Sequence, residues 1–362
     1  MKKKIKVAIV GTNGIPARYG GVETLAEHLT KYLSNEFDFT VYCSKDQPHH
    51  YEEYNGSKLV YIPIKANGWQ SIFYDIYTLV DAALKADVIL YLGPGAGYVL
   101  PFIRVFGKKI IVNHGGLNEW EREKYSKLEK FIVKLGIKYG AKYATCNVAD
   151  NFLLRTSIQR TFGVDSKVIR YGGDHVSKID VDKDLMDKYP FLKDSYFVNV
   201  SRAQIDNNLH LVLDTFKDTP EKKLVMVSNW SVSSYGINLK RVYKDKYPNI
   251  IILDAVYEPK EINAIRGNAH AYIHSHSYCG TAPSLVEAMF LGLPIFSFDV
   301  PTNRETTQEK AFFFKDNDEL RKLIKSVTDE DLARNGQAMK EIADKEYTWL
   351  SISAQYADII HE

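Results

Sequence analysis

Chemistry is densest in this 362-residue chain at CGTAPSLVEAMFLGLPIFSFD, residues 279–299. Thr281 reads as an N-cap and Pro283 as a first-turn residue of a helix running to Leu291. First-turn N–H groups have no acceptor inside their own helix, and the helix dipole adds positive character, so such a terminus suits an anion. Gly280, Thr281, Ala282, Pro283, Ser284 and Leu285 are therefore the expected phosphate cradle. Glu287 lies four residues beyond Pro283 on the same face, one turn deeper, where a carboxylate can accept hydrogen bonds from ribose hydroxyls. The plain alternative is a core helix with an exposed Glu.

A second glycine-rich turn, GTNGIPARYGGVETLAEHL at 11–29, joins a first strand to a helix, and Gly20 and Gly21 let backbone approach a ligand closely. The dinucleotide fingerprint Gly-x-Gly-x-x-Gly fails here, because Gly11 and Gly14 are three apart and a long loop precedes Gly20. Arg202 follows the first strand of the second half, where a guanidinium can grip diphosphate oxygens in bidentate fashion. Arg18, Asn113 and Glu119 are expected to line an acceptor pocket. His274, His276 and Cys279 stand close in sequence, but no fourth ligand is evident, and no metal is expected. Asp180 and Asp182 lie in a charged run and read as solvated.

Such groups need a scaffold, and the chain alternates short β-branched runs with longer helical patterns. IKVAIVG (5–11), a helix from about Gly21 to Ser34, FTVYC (39–43), VYIPI (60–64), a helix near 72–85, DVILYL (87–92) and KIIVNH (109–114) predict a parallel sheet covered by helices. YATCNV (143–148) and KVIRYG (167–172) extend it. A second series begins at YFVNVS (196–201) and continues through a helix at 207–216, KLVMVSN (223–229), NIIILDAV (249–256), AHAYIHS (269–275) and PIFSFD (294–299). The expectation is α/β with two Rossmann-like, doubly wound parallel-sheet domains facing across a cleft. Residues 1–175 form the first, 176–194 a linker, 195–345 the second, and 346–362 a helix crossing back to the first. Ligands of open parallel sheets bind beyond the carboxyl ends of strands, where every candidate above lies.

Composition narrows the partners. Lys and Arg number 47 against 45 Asp and Glu, which leaves no field that would mark nucleic acid as the main partner. Three widely spaced cysteines, an odd number, argue for a reducing compartment, and no run approaches the roughly 20 apolar residues of a membrane span. A cytoplasmic protein is expected. The helix predicted at 119–142 carries Arg122, Lys124, Lys127, Lys130, Lys134, Lys138 and Lys142 beside an apolar stripe, a pattern that suits either core packing or peripheral contact with an anionic membrane surface.

The segment 280–299 resembles the donor-site helix of retaining GT-B glycosyltransferases of the family 4 type, in which a Glu before Ala-Met binds the nucleotide ribose. The form GlyThr-x-ProSer-Leu-x-GluAlaMet, with 11–29 and LVMVSNWSVSSYG (224–236), resembles a subgroup of bacterial rhamnosyltransferase-like polysaccharide enzymes. The resemblance implies a GT-B fold and roles for Arg202 and Glu287 in holding the leaving diphosphate and the ribose. It also implies a donor-sugar contact for His114 and a nucleobase site lined by Asn229, Val256 and Tyr257. Where that superfamily has a diphosphate-binding Lys this chain has Asn207, and where it has a sugar-binding Glu this chain has Cys279.

The implied activity is metal-independent, retaining transfer of a sugar, rhamnose or another hexose, with no cofactor. The donor is a dTDP- or UDP-linked sugar and the acceptor a bacterial cell-surface glycan or lipid-linked oligosaccharide. The rivals are a sugar-nucleotide epimerase of the same fold and a non-catalytic relative.

Overall fold

The computed structural model describes residues 3–362 except 19, 67, 94 and 117–125. It divides into two compact units, Met1–Tyr171 with Trp349–Glu362, and Gly172–Thr348.

The first unit is built on an eight-stranded sheet. Its strands are β1 (Lys6–Val10), β2 (Asp38–Ser44), β3 (Glu53–Tyr54), β4 (Ser57–Ile62), β5 (Val88–Leu92), β6 (Lys109–His114), β7 (Cys146–Ala149) and β8 (Lys167–Val168). Their order is β3-β4-β2-β1-β5-β6-β7-β8, parallel throughout except for the β3–β4 pair. Helices α1 (Gly21–Leu33), α2 (Ser71–Lys85), α3 (Leu100–Ile103), α4 (Lys127–Tyr143) and α5 (Phe152–Phe162) make the crossovers. Neighbouring strand residues point to opposite faces, so both faces must be apolar in a sheet covered on both sides. Val7 and Ile9 accordingly pack with α1, while Ala8 and Val10 pack with α2. The expected strand 143–148 begins only at Cys146, because Tyr143 is still the last residue of α4. The sequence-predicted helix 119–142 overlaps residues outside the described set; its described part opens at a capping box between Ser126 and Glu129.

The second unit holds six parallel strands, β9 (Phe197–Val200), β10 (Leu224–Ser228), β11 (Ile250–Asp254), β12 (Ala271–His274), β13 (Ile295–Phe298) and β14 (Phe312–Phe314), ordered β11-β10-β9-β12-β13-β14. Around them lie α6 (Lys183–Lys188), α7 (Leu209–Lys217), α8 (Ser234–Tyr243), α9 (Pro259–Gly267), α10 (Pro283–Phe290), α11 (Pro301–Thr306), α12 (Asn317–Ser326) and α13 (Asp329–Glu346). The stretch 176–194 is no free linker. Within it Leu185, Tyr189, Phe191 and Leu192 are buried in this unit's core, anchors hidden in the sequence by the surrounding Asp and Lys.

The chain then returns to the first unit as α14 (Trp349–His361). Trp349 stacks on His28 of α1 with ring centroids 4.4 Å apart, and Tyr356 is buried beside β6.

Candidate functional site

In the second sheet the direction of winding reverses between β9 and β12. β9 leads outward to β10 and β11, and β12 leads the other way to β13 and β14. Loops leaving the carboxyl ends at such a switch point diverge and open a crevice, the usual ligand site of doubly wound sheets. The two loops here carry the strongest candidates from the sequence: Arg202 follows β9, and the turn 275–282 follows β12 into α10.

The loops are laced together. Ser277 donates its backbone N–H to the Asp206 carbonyl at 2.9 Å, the Ser275 hydroxyl donates to the Asn207 carbonyl at 2.6 Å, and the Asn208 carboxamide donates to the Ser275 carbonyl at 3.0 Å. This bonding fixes the approach to α10. The helix starts at Pro283 with Ala282 as N-cap, not Thr281 as the sequence suggested, since Pro at the first helical position leaves the residue before it extended. Ala282 has no side chain able to cap, and no N-cap side-chain hydrogen bond closes the terminus. Gly280, Thr281, Ala282 and Leu285 are buried, and Pro283 and Ser284 are half-buried.

Glu287 sits one turn into α10 with its carboxylate held from two sides. The Arg266 guanidinium, buried on α9, pairs with Oε2, and His175 Nε2 lies 3.3 Å from Oε1. Burial pushes this carboxyl up, but the Arg266 charge and the His175 contact outweigh it and hold it down to about 2. Neither partner was singled out from the sequence. They lie 21 and 112 residues from Glu287, and only the pairing of a buried Arg with a half-buried Glu marks them.

Other expected residues are spent on the scaffold. Asn207 is 3% exposed and donates its side-chain N–H to the Arg202 carbonyl at 2.8 Å, so it closes the Arg202 loop from within and does not face a diphosphate. Asn229 accepts from the Ala203 N–H at 3.1 Å and braces the same loop. The Arg202 side chain is exposed, with no side-chain partner among the described residues. Val256 and Tyr257 line an open depression of about 420 Å³ with Lys188, Tyr189 and Glu261.

In the first unit the switch point lies between β1 and β5. The loop after β1 is tied by Glu23, which accepts from the Asn13 backbone and side-chain N–H groups at 3.0 Å each. Gly20 caps α1 at φ 109, a left-handed region that favours glycine, and Gly21 opens the helix. Arg18 is exposed on this loop. Two candidates are corrected. Asn113 is buried and donates to the Tyr356 hydroxyl at 2.6 Å, tying β6 to α14 instead of lining an acceptor pocket. His114 is 3% exposed and bonds Asn147 at 2.9 Å; burial lowers its pKa to about 4 against the raising effect of that bond, so it is a neutral imidazole held inside the sheet and not offered to a sugar. Glu119 lies outside the described residues.

His274, His276 and Cys279 do converge, with candidate ligand atoms within 4.8 Å of one another. The two rings meet at 4.3 Å although β12 ends at His274, so the chain's turn and not a continued strand brings them together. Cys279 Sγ lies 3.3 Å from Asn303 Oδ1, a contact that suits a protonated thiol.

Comparison with known proteins agrees with this layout. Residues 181–346 match the family of glycosyl transferases group 1, and residues 4–174 match a domain of unknown function (DUF1972). Sucrose-phosphate synthase of Thermosynechococcus elongatus superposes with a TM-score of 0.80 at 14% identity, over 99% of this chain and 98% of that one. The fold is GT-B. Anabaena HepE in complex with UDP-glucose shares this GT-B fold with a TM-score of 0.76 at 13% identity, over 99% of each chain. An uncharacterized glycosyltransferase of Methanocaldococcus jannaschii is 24% identical over 99% of this chain and 98% of its own. The group 1 match spans the GT-B half that contains Arg202, α10, Glu287 and Arg266.

Proposed function

We propose that this chain transfers a sugar from a nucleoside diphosphate to a glycan acceptor, using the switch point of the second unit as donor site. The observation that carries the reading is the convergence there of an exposed Arg202, the uncapped start of α10 and an ionised Glu287. A sugar nucleotide presents a dianionic diphosphate, which the guanidinium and the helix terminus suit, and a ribose diol, which the carboxylate suits. Both Glu287 oxygens are engaged by protein, yet each keeps a lone pair for a ribose hydroxyl. The depression beside Val256 and Tyr257 is the proposed base site. Glu261, which lines it, and Arg266 lie on the same helix, about 7.5 Å apart along its axis.

In the reaction, charge develops on the departing diphosphate as the anomeric bond breaks, and donors aimed at that charge lower the barrier. Arg202 supplies that charge stabilisation; Asn207, turned inward, does not. Transfer proceeds with retention and without metal, the departing phosphate accepting the acceptor's proton, so no protein nucleophile is assigned. Cys279 in place of an acidic sugar ligand favours a deoxy sugar such as rhamnose carried on dTDP or UDP. The acceptor is a bacterial surface glycan or its lipid-linked precursor, glycosylated at the cytoplasmic face.

The reading is supported by a protein of the same fold, Anabaena HepE, whose structures hold UDP-glucose or UDP. A thermal-shift screen of dTDP-rhamnose, UDP-glucose, UDP-galactose, UDP-N-acetylhexosamines and GDP-mannose tests it. One donor at a hundred times its dissociation constant should stabilise the protein by about 2.7 kcal/mol. No shift with any of them sinks the proposal.

A further inference from the structure

One layer of the first unit is unusually apolar on its outer side. α2, α3 and α4 join β4 to β5, β5 to β6 and β6 to β7, three parallel crossovers that run in the same direction across the sheet. Right-handed crossovers of one direction fall on one face, and α3 packs against both α2 and α4.

On α2, Phe73, Tyr77, Val80 and Leu84 recur at helical spacing along the solvent side, and all four are exposed. The α3 turn and its short continuation add Phe102, Val105 and Phe106, with Val105 84% exposed. α4 adds Leu128 and Phe131, each more than 60% exposed. Nine of the eighteen exposed large apolar side chains among the described residues therefore share this layer, whereas α1 and α14 on the opposite face present only Tyr32 and Leu350. Scattered exposed apolar residues are ordinary; a set gathered on one layer marks an interaction surface.

Charge selects the partner. The described residues of 100–143 contain eight Lys and Arg against a single Glu, in a chain whose total is +2. That Glu, Glu129, is engaged in the capping box at the start of α4, and on α2 the carboxylate of Asp81 is held by Lys85 and Tyr42. Two copies meeting through this layer would set like charge against like charge. An anionic bilayer meets both features: the aromatic and aliphatic tips enter the interface while long lysine stems reach lipid phosphates. No described helix is long and apolar enough to cross a membrane, so the layer would lie on the surface.

We propose that the outer face of α2, α3 and α4 docks on the surface of an anionic lipid bilayer, independently of what the donor site binds.

Co-sedimentation of the full chain with vesicles of phosphatidylcholine, alone or mixed with phosphatidylglycerol, tests this. The expected result is binding to the mixed vesicles that weakens steeply between about 0.1 M and 1 M salt, and far weaker binding to phosphatidylcholine alone. Replacing Val105→Ser and Phe131→Ser together should lower partitioning about tenfold, as should Lys134→Glu with Lys138→Glu, which leaves the apolar positions intact. Absence of binding to the mixed vesicles, or binding unchanged in both variants, overturns the proposal. So does a dimer in light scattering that V105S with F131S dissolves, since that would assign the layer to self-association.

Discussion

Arg266, buried on α9, and Glu287, half-buried on α10, form an ion pair between the two helices, the guanidinium pairing with Oε2 of the carboxylate. A lone charge left in such a place is costly, whichever partner is removed. Arg266→Ala strands the carboxylate and should lower the unfolding free energy of the second unit by about 3 kcal/mol, read from denaturant unfolding. Glu287→Gln leaves the Arg266 guanidinium, 4% exposed, without its counter-charge, so it should cost a similar amount, and it should also weaken ribose recognition.

The same pair sets an acid response. Glu287 has its folded pKa held down to about 2 from 4.5, so the folded state resists protonation more than the unfolded chain does. The stabilisation is complete above pH 4.5 and is lost as pH falls toward 2. A thermal melt series over that window should show a shallower acid decline for Glu287→Gln than for the parent; identical slopes would remove the pair from the account.

Asp75 gives the opposite sign in the first unit. It is buried on α2, accepts from the Tyr91 hydroxyl at 2.9 Å, and burial raises its pKa to about 7 despite that bond. Its contribution is full below pH 3.8 and falls as pH rises to 7, at up to about 1 kcal/mol per pH unit. Asp75→Asn should flatten that decline in denaturant unfolding followed as a function of pH.

The Asn113–Tyr356 bond can be tested through packing alone. Tyr356→Phe leaves a buried N–H unpaired and should cost about 1–3 kcal/mol, with faster hydrogen exchange in α14 and unchanged donor affinity. A loss of acceptor affinity without loss of stability would return Asn113 to the acceptor pocket.

These residues also show what the sequence could and could not reveal. Strands such as KIIVNH and the helix at 72–85 are legible because buried parallel strands read as apolar runs and covering helices keep a 3.6-residue period. The Glu287 helix is legible because Pro283 and the following apolar spacing are local signals. Its partners Arg266 and His175 are not, since only the fold brings them near. Asn113 sits near the carboxyl end of β6 and Asn207 on the loop beyond β9, both in the right region for ligand contact, but side-chain direction is settled by tertiary bonding to Tyr356 and to the Arg202 loop. The polar stretch 176–194 hides four buried anchors among charges that point outward.

A diphosphate-nucleotide site built from Arg202, the start of α10 and Glu287 requires that these groups bind UDP or dTDP directly. Titration calorimetry of UDP and dTDP into the parent chain, Arg202→Ala and Glu287→Gln tests it most directly. The expected result is one site per chain for at least one nucleotide, weakened about tenfold or more by either substitution while the melting temperature of Arg202→Ala stays that of the parent. Absence of binding by both nucleotides, or equal affinity in all three proteins, would contradict it.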